Sequence, residues 1–266
     1  MRFRTRFAVA VAVALALALG LAGCGDDDAS SSSTTEAGES GPAGAITVFA
    51  AASLTGSFTE LKEAFETEHP DATVEVNFGP SSGLAIQITE GAPADVFASA
   101  SPSQMEVVVD AGAAEGEARD FAGNRLEIAV PPDNPGQVEG LADFAREELL
   151  IGLCAEEVPC GQFGRELLSQ AGVRPAIDTN EPDVRALLTK VGSGELDAGI
   201  VYVTDVQAAD GEVEGIEVAE DENVVATYPI VPLAESGAPE VASAFVDFVL
   251  SEEGFAVLES YGFRAP

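Results

Sequence analysis

The chain has 266 residues, 46 of them acidic and 12 basic, for a formal charge of −34 at pH 7. That balance excludes nucleic acid as a partner, since a polyanion would be repelled. It does not exclude a small anion, because the Debye length is about 8 Å at physiological ionic strength and dipoles touching a ligand outweigh distant surface charge.

The first residues, MRFRTRF, carry Arg2, Arg4 and Arg6 ahead of an apolar run from Phe7 to Leu19. A membrane span needs about 20 apolar residues, so this shorter run has the layout of an export signal. It closes on Leu21-Ala22-Gly23-Cys24. These residues resemble the lipobox of bacterial lipoproteins, which implies a signal over 1–23, acylation of Cys24, and anchorage to the outer face of the cell membrane. From Gly25 to Gly44 the chain is acidic and hydroxyl-rich with no large apolar side chain. Such a stretch cannot bury enough surface to offset its ordering entropy, so 24–44 is expected to be a flexible tether with a span of roughly 25 Å. The remainder, from Ala45 to Pro266, is long enough for a buried core as one large domain or two lobes.

Ile46 to Ser53 (ITVFAAAS) reads as an apolar strand that hands over to a helix with Leu54, Phe58, Leu61 and Phe65 at helical spacing. Ser53 thus sits at a helix start, where free N–H groups and the helix dipole favour an anion. Capping is the commoner use of such a serine. Here the residue three further on is Gly56, so no capping box occupies the hydroxyl. Ala72 to Phe78 alternates like a strand, and the turn Gly79-Pro80-Ser81-Ser82-Gly83 delivers a second serine pair to a second helix start. Ala94 to Ser99 is a third strand, followed by the helical SQMEVVVDAG. Alternation of this kind implies parallel strands with crossover helices and a ligand at the strands' carboxyl ends, where Ser53 and Ser81 fall.

Beyond Gly123 the pattern restarts. Leu126 to Val130 and Leu149 to Leu153 read as strands, LADFARE as a short helix, and CAEEVPCG leads into the helix QFGRELLSQAG. The stretch DTNEPDVRALLTKVGSGEL reads as a helix opened by Glu181-Pro182-Asp183, and Asp197 to Val203 as a strand carrying Tyr202. The tail from Ala238 is helical, with Val241, Phe245, Phe248 and Val249 on one face. With Cys24 set aside for lipid, Cys154 and Cys160 form an even pair in an oxidising setting, which favours a disulfide over two free thiols. The single histidine, His69, and the absence of a second cysteine pair speak against a metal centre.

The pieces ITVFAAASLT, FGPSSGLA, QITEGAPADVFASAS, VPCG, EPDVR, DAGIVYVTD and the terminal YGF, in this order from Ile46 to Phe263, resemble the molybdate-binding proteins of ABC importers. These belong to the two-lobed periplasmic-type binding proteins. The resemblance implies an α/β fold of two lobes, each a mostly parallel sheet flanked by helices, with two crossings between them: 45–123 plus 229–266, and 124–228. It implies a monomer that is not an enzyme, takes no cofactor, captures molybdate and also tungstate, and delivers the oxyanion to an ABC permease. Residue by residue it puts the hydroxyl and N–H of Ser53 and of Ser81, the N–H groups of Cys160 and Val184, and the Tyr202 hydroxyl on the anion, with no other metal bound. Ser82 is the alternative to Ser81. Cys160 stands where a small apolar residue is common in the family, and Pro80 where a small hydroxyl residue or alanine is common.

The chemistry of this set is consistent with that likeness. Four of the five positions fall at expected helix starts, so no Arg or Lys is needed. A set of donors without an acceptor suits molybdate or tungstate and leaves the proton of hydrogen phosphate unpaired. Sulfate passes the same test and is the alternative ligand. Asp95 and Asp205 have no positioned base, nucleophile or metal cluster beside them and are expected to serve as caps or inter-lobe residues.

Overall fold

The structure, a computed structural model, describes residues 41–266; the expected signal, Cys24 and the tether up to residue 40 lie outside them. Strand β1 (Gly44–Ala51) is apolar almost throughout because it lies between β2 (Ala72–Gly79) and β3 (Val96–Ala98), parallel to both. Parallel neighbours need crossovers, which α1 (Thr55–Glu68) and α2 (Ser81–Thr89) supply. Helix α3 (Pro102–Asp110) comes next, capped by Ser101, whose side chain accepts the Gln104 N–H. On α1 the apolar spacing brings Phe58 and Phe65 to one face. There they meet Phe121 and Phe245 with ring centroids 5.3 to 6.2 Å apart. Removing such a ring, as in Phe58→Ala, costs about 3–5 kcal/mol.

The second half begins within β4 (Arg119–Val130). It contains β5 (Ile151–Cys154), α4 (Pro159–Gln170), β6 (Ile177–Glu181), α5 (Val184–Gly192), β7 (Ala198–Tyr202), α6 (Val203–Ala208) and β8 (Glu214–Glu217). Here β5 runs parallel to β6 and β7. Strand β9 (Val225–Pro232) then leads back to the first half, where α7 (Pro239–Val249) and α8 (Glu252–Ser260) pack. The strand order is β2-β1-β3-β9-β4-β7-β5-β6, with β8 on β4. This is the two-lobed α/β architecture expected, and the chain crosses between the sheet halves on β4 and on β9.

Four elements differ from the sequence reading. Strand β4 starts at Arg119 and not near Leu126, and β9 was not expected at all. Pro229 and Pro232 make β9 read as loop. Pro229 is tolerated because it faces Asp120, where the register of β4 shifts, and a bulge is where a strand accepts a missing N–H. Asp178 to Asn180, read as the lead into a helix, instead belong to the edge strand β6, while α5 begins at Val184, directly after the expected opening Glu181-Pro182-Asp183. LADFARE holds only a 3-10 turn, Leu141–Ala145. The expected lobe breaks at 123/124 and 228/229 fall inside β4 and β9, which pair antiparallel with Ala122 opposite Tyr228. No helix among the described residues is long and apolar enough to cross a membrane.

Candidate functional site

Ser53, Ser81, Cys160, Val184 and Tyr202 line one cavity, although they come from five separate segments. The cavity is small, which suits one compact group. Its remaining wall is built mainly from small side chains, among them Ala51, Ala52 and Ala100 at strand ends, and no basic side chain lines it.

The backbone at the cavity is dominated by helix starts. Ser81 is the first residue of α2, Val184 the first of α5 and Cys160 the second of α4. Their N–H groups precede the first carbonyl an α-helix can offer them. Ser53 lies in a 3-10 turn, Ala52–Leu54, that runs into α1, and its side chain caps neither element. Tyr202 ends β7 immediately before α6. Gly56, which takes the place a capping-box acid would need, lies against Tyr261. A Cβ there would come within 2.7 Å of that ring.

Hydrogen bonds behind the cavity set the direction of the hydroxyls. Ser81 Oγ accepts the backbone N–H of Ala100 at 3.0 Å, so its own proton is free to point forward. Ser53 Oγ lies 3.0 Å from the Tyr228 hydroxyl. Tyr202 is 1% exposed, and its hydroxyl has no hydrogen-bond partner among the described residues. A buried hydroxyl in that state costs about 1–3 kcal/mol, and such a group calls for an explanation. Burial pushes the Tyr202 and Tyr228 phenols well above the usual tyrosine range, so both stay protonated and able to donate.

Two acids belong to the same region. Asp183 caps α5 by accepting the Ala186 N–H at 2.9 Å, and it also lines the cavity. The expectation of a site without an acceptor is corrected on this point, since the cap of α5 lies at the wall. Asp205 is buried and accepts the Tyr202 N–H at 3.0 Å; burial pushes its carboxyl up to about 7. Asp95 is structural too, holding the Thr47 and Gly237 N–H groups and the Ser236 hydroxyl.

Cys154 and Cys160 are joined by a disulfide, with Cα atoms 5.7 Å apart. The loop it closes is held from a second side by Arg165, which donates to the carbonyls of Cys154 at 2.7 Å and of Gly161 at 3.0 Å. Gly161 admits no side chain, because a Cβ would collide with the Ala155 carbonyl. The sequence reading missed Arg165 and Tyr228. Arg165 lies one helical turn after Gly161, a spacing that offered a faint signal; Tyr228 sat in a strand disguised by its prolines.

The family described as bacterial extracellular solute-binding protein matches residues 46–264. The molybdate-binding protein ModA of Mycobacterium tuberculosis (strain H37Rv) is 37% identical over 233 residues, covering 88% of this chain and 89% of that one. Among solved structures, the Azotobacter vinelandii periplasmic molybdate-binding protein superposes with a TM-score of 0.73 at 20% identity, over 83% of this chain and 99% of that one. The sulfate-binding protein SubI of Mycobacterium tuberculosis gives 0.75 at 16% identity, over 83% and 86%. At these identities the two structures speak to fold. The match over almost the whole described body places this chain in the bacterial extracellular solute-binding protein family.

Proposed function

We propose that this protein is an extracytoplasmic substrate-binding protein that captures molybdate, and also tungstate, and delivers it to an ABC permease. One observation carries the reading. The hydroxyl of Tyr202, buried and unpartnered, meets two serine hydroxyls and three helix starts in a compact cavity lined by no basic side chain. Donors of that kind stabilise a fully ionised tetrahedral anion without a countercharge. In this reading Ser53 and Ser81 give hydroxyl and N–H, Cys160 and Val184 give N–H, and Tyr202 gives its hydroxyl. The relative named for molybdate, at 37% identity, supports the choice of ligand.

Lobe 1 is then 45–123 plus 229–266, and lobe 2 is 124–228. Bending at β4 and β9 brings Cys160, Val184 and Tyr202 onto an anion held by the serines. The chain acts as a monomer without catalysis, tethered through lipid on Cys24. Sulfate is the second reading, since a sulfate-binding protein shares the fold. Asp183 at the wall is an acceptor, so rejection of hydrogen phosphate no longer rests on an all-donor set and is put to experiment. Calorimetry of the purified protein with molybdate, tungstate, sulfate and phosphate decides the ligand. Tight molybdate binding with weak sulfate binding is expected, and equal affinity for sulfate would overturn the choice.

A further inference from the structure

Behind Ser53 lies a chain of buried polar groups that the ligand contacts do not include. Tyr228, fully buried on β9, places its hydroxyl 3.0 Å from Ser53 Oγ. Asn124, 1% exposed on β4, has its side-chain nitrogen 3.4 Å from that same hydroxyl and 2.9 Å from Thr204 Oγ1. The orientation of the Asn124 amide is fixed, because its oxygen accepts the Arg125 N–H at 2.9 Å and so its nitrogen faces the two hydroxyls. An amide nitrogen can only donate. Tyr228 therefore receives a proton from Asn124, and Ser53 Oγ at 3.0 Å is the acceptor placed for its own proton. Ser53, receiving that proton, has no other side-chain hydrogen bond among the described residues, and its hydroxyl hydrogen is left for the cavity it lines.

We infer that Tyr228, locked by Asn124, is a positioning residue that fixes Ser53 as a hydrogen-bond donor toward the bound anion. The inference rests on the oxyanion reading of the cavity and deepens it. Without the phenol, Ser53 could rotate to present a lone pair to the ligand, which a dianion repels. Ser81 is held the same way by the Ala100 N–H, so both serines of the first half have a donor behind them and a proton in front. The device joins both crossing strands to the site, since Asn124 lies on β4 and Tyr228 on β9. Tyr228 itself is held by edge-on rings of Phe121, Tyr202 and Phe263, at centroid distances of 6.1, 6.0 and 5.4 Å.

The test is a double-mutant cycle read by calorimetry with molybdate. Tyr228→Phe should weaken binding by about three- to tenfold when Ser53 is present. In a Ser53→Ala background the same change should have almost no effect, because the hydroxyl it orients is gone. Equal losses in both backgrounds would assign Tyr228 a general packing role and overturn the inference, as would an unchanged affinity in the Ser53 background. If Tyr228→Phe does not fold, Asn124→Leu in the same two backgrounds takes its place, with the same pattern expected and the same results overturning it. A wild-type protein that binds none of the oxyanions would instead overturn the proposed function.

Discussion

Ser81 Oγ accepts the backbone N–H of Ala100 at 3.0 Å, tying the start of α2 to the chain just beyond β3. One hydroxyl thus completes an internal bond and still has its proton to give. Ser81→Ala removes both, leaving a buried N–H without its partner. Oxyanion affinity should fall by about 1–3 kcal/mol and folding stability by about 1 kcal/mol. Ser82, which does not line the cavity, should tolerate Ala with unchanged affinity. Titration calorimetry and urea unfolding of the two variants separate their roles; equal affinity losses would contradict the assignment.

Tyr202→Phe should behave in the opposite way on the two axes. The hydroxyl has no partner among the described residues, so its removal breaks none of their bonds and relieves a desolvation penalty. The ligand-free protein should become as stable or up to about 1 kcal/mol more stable, while binding weakens by about 1–3 kcal/mol. A thermal melt with and without molybdate reads both. Destabilisation of the free protein would show that the hydroxyl has a structural partner.

The degree to which these features are legible in the sequence depends on what each residue advertises. Ser53 and Ser81 stand out because a strand followed by a helix start is a local pattern readable from apolar spacing, whereas Cys160 and Val184, which contribute only backbone, are picked out by the resemblance of their motifs to the family. Tyr202 is legible as the polar end of a buried strand, but its unpartnered hydroxyl is a tertiary fact. Strand β9 was hidden by Pro229, which is compatible with a strand only because β4 is irregular opposite it. With β9 hidden, so was Tyr228, and with it the link from both crossing strands to Ser53. Asp183 was read only as part of the helix opening Glu181-Pro182-Asp183, since a helix start leaves no trace in sequence of whether the residue also faces a cavity.

The disulfide offers a third test. Cys154 and Cys160 are separated by 6 residues in sequence, and closing so short a loop contributes about 2 kcal/mol by the chain-entropy account. Thiol labelling of the unreduced protein should find neither residue reactive. Reduction should lower the urea midpoint while leaving measurable oxyanion binding, because Arg165 continues to hold the carbonyls of Cys154 and Gly161. Complete loss of binding on reduction would mean that the bridge alone presents the Cys160 N–H. Gly161→Ala should be the more damaging change to this loop, since the Ala155 carbonyl must move.

Asp205 gives a pH dependence with a definite sign. Its carboxyl titrates at about 7 in the folded protein, raised chiefly by burial and further by Asp183, against 3.8 as the ordinary value; the Tyr202 N–H and Arg185 oppose the rise. The folded state therefore holds a proton that the unfolded state has released between those two values. Stability from this group is greatest at the acid end and is lost as pH rises through about 7. Asp205→Asn keeps an oxygen for the Tyr202 N–H and removes the titration. The variant should match the wild type near pH 4 and exceed it by a few kcal/mol at pH 8. Parallel curves of unfolding free energy against pH for the two proteins would contradict this.

The central claim is that one small cavity holds a tetrahedral dianion by neutral donors from five segments. A crystal structure of the protein grown with molybdate tests it most directly. The account predicts the anion in this cavity, within hydrogen-bond distance of the Ser53, Ser81 and Tyr202 hydroxyls and the N–H groups of Cys160 and Val184. An anion bound elsewhere, or held here by an arginine or lysine side chain with Tyr202 still unpartnered, would contradict it.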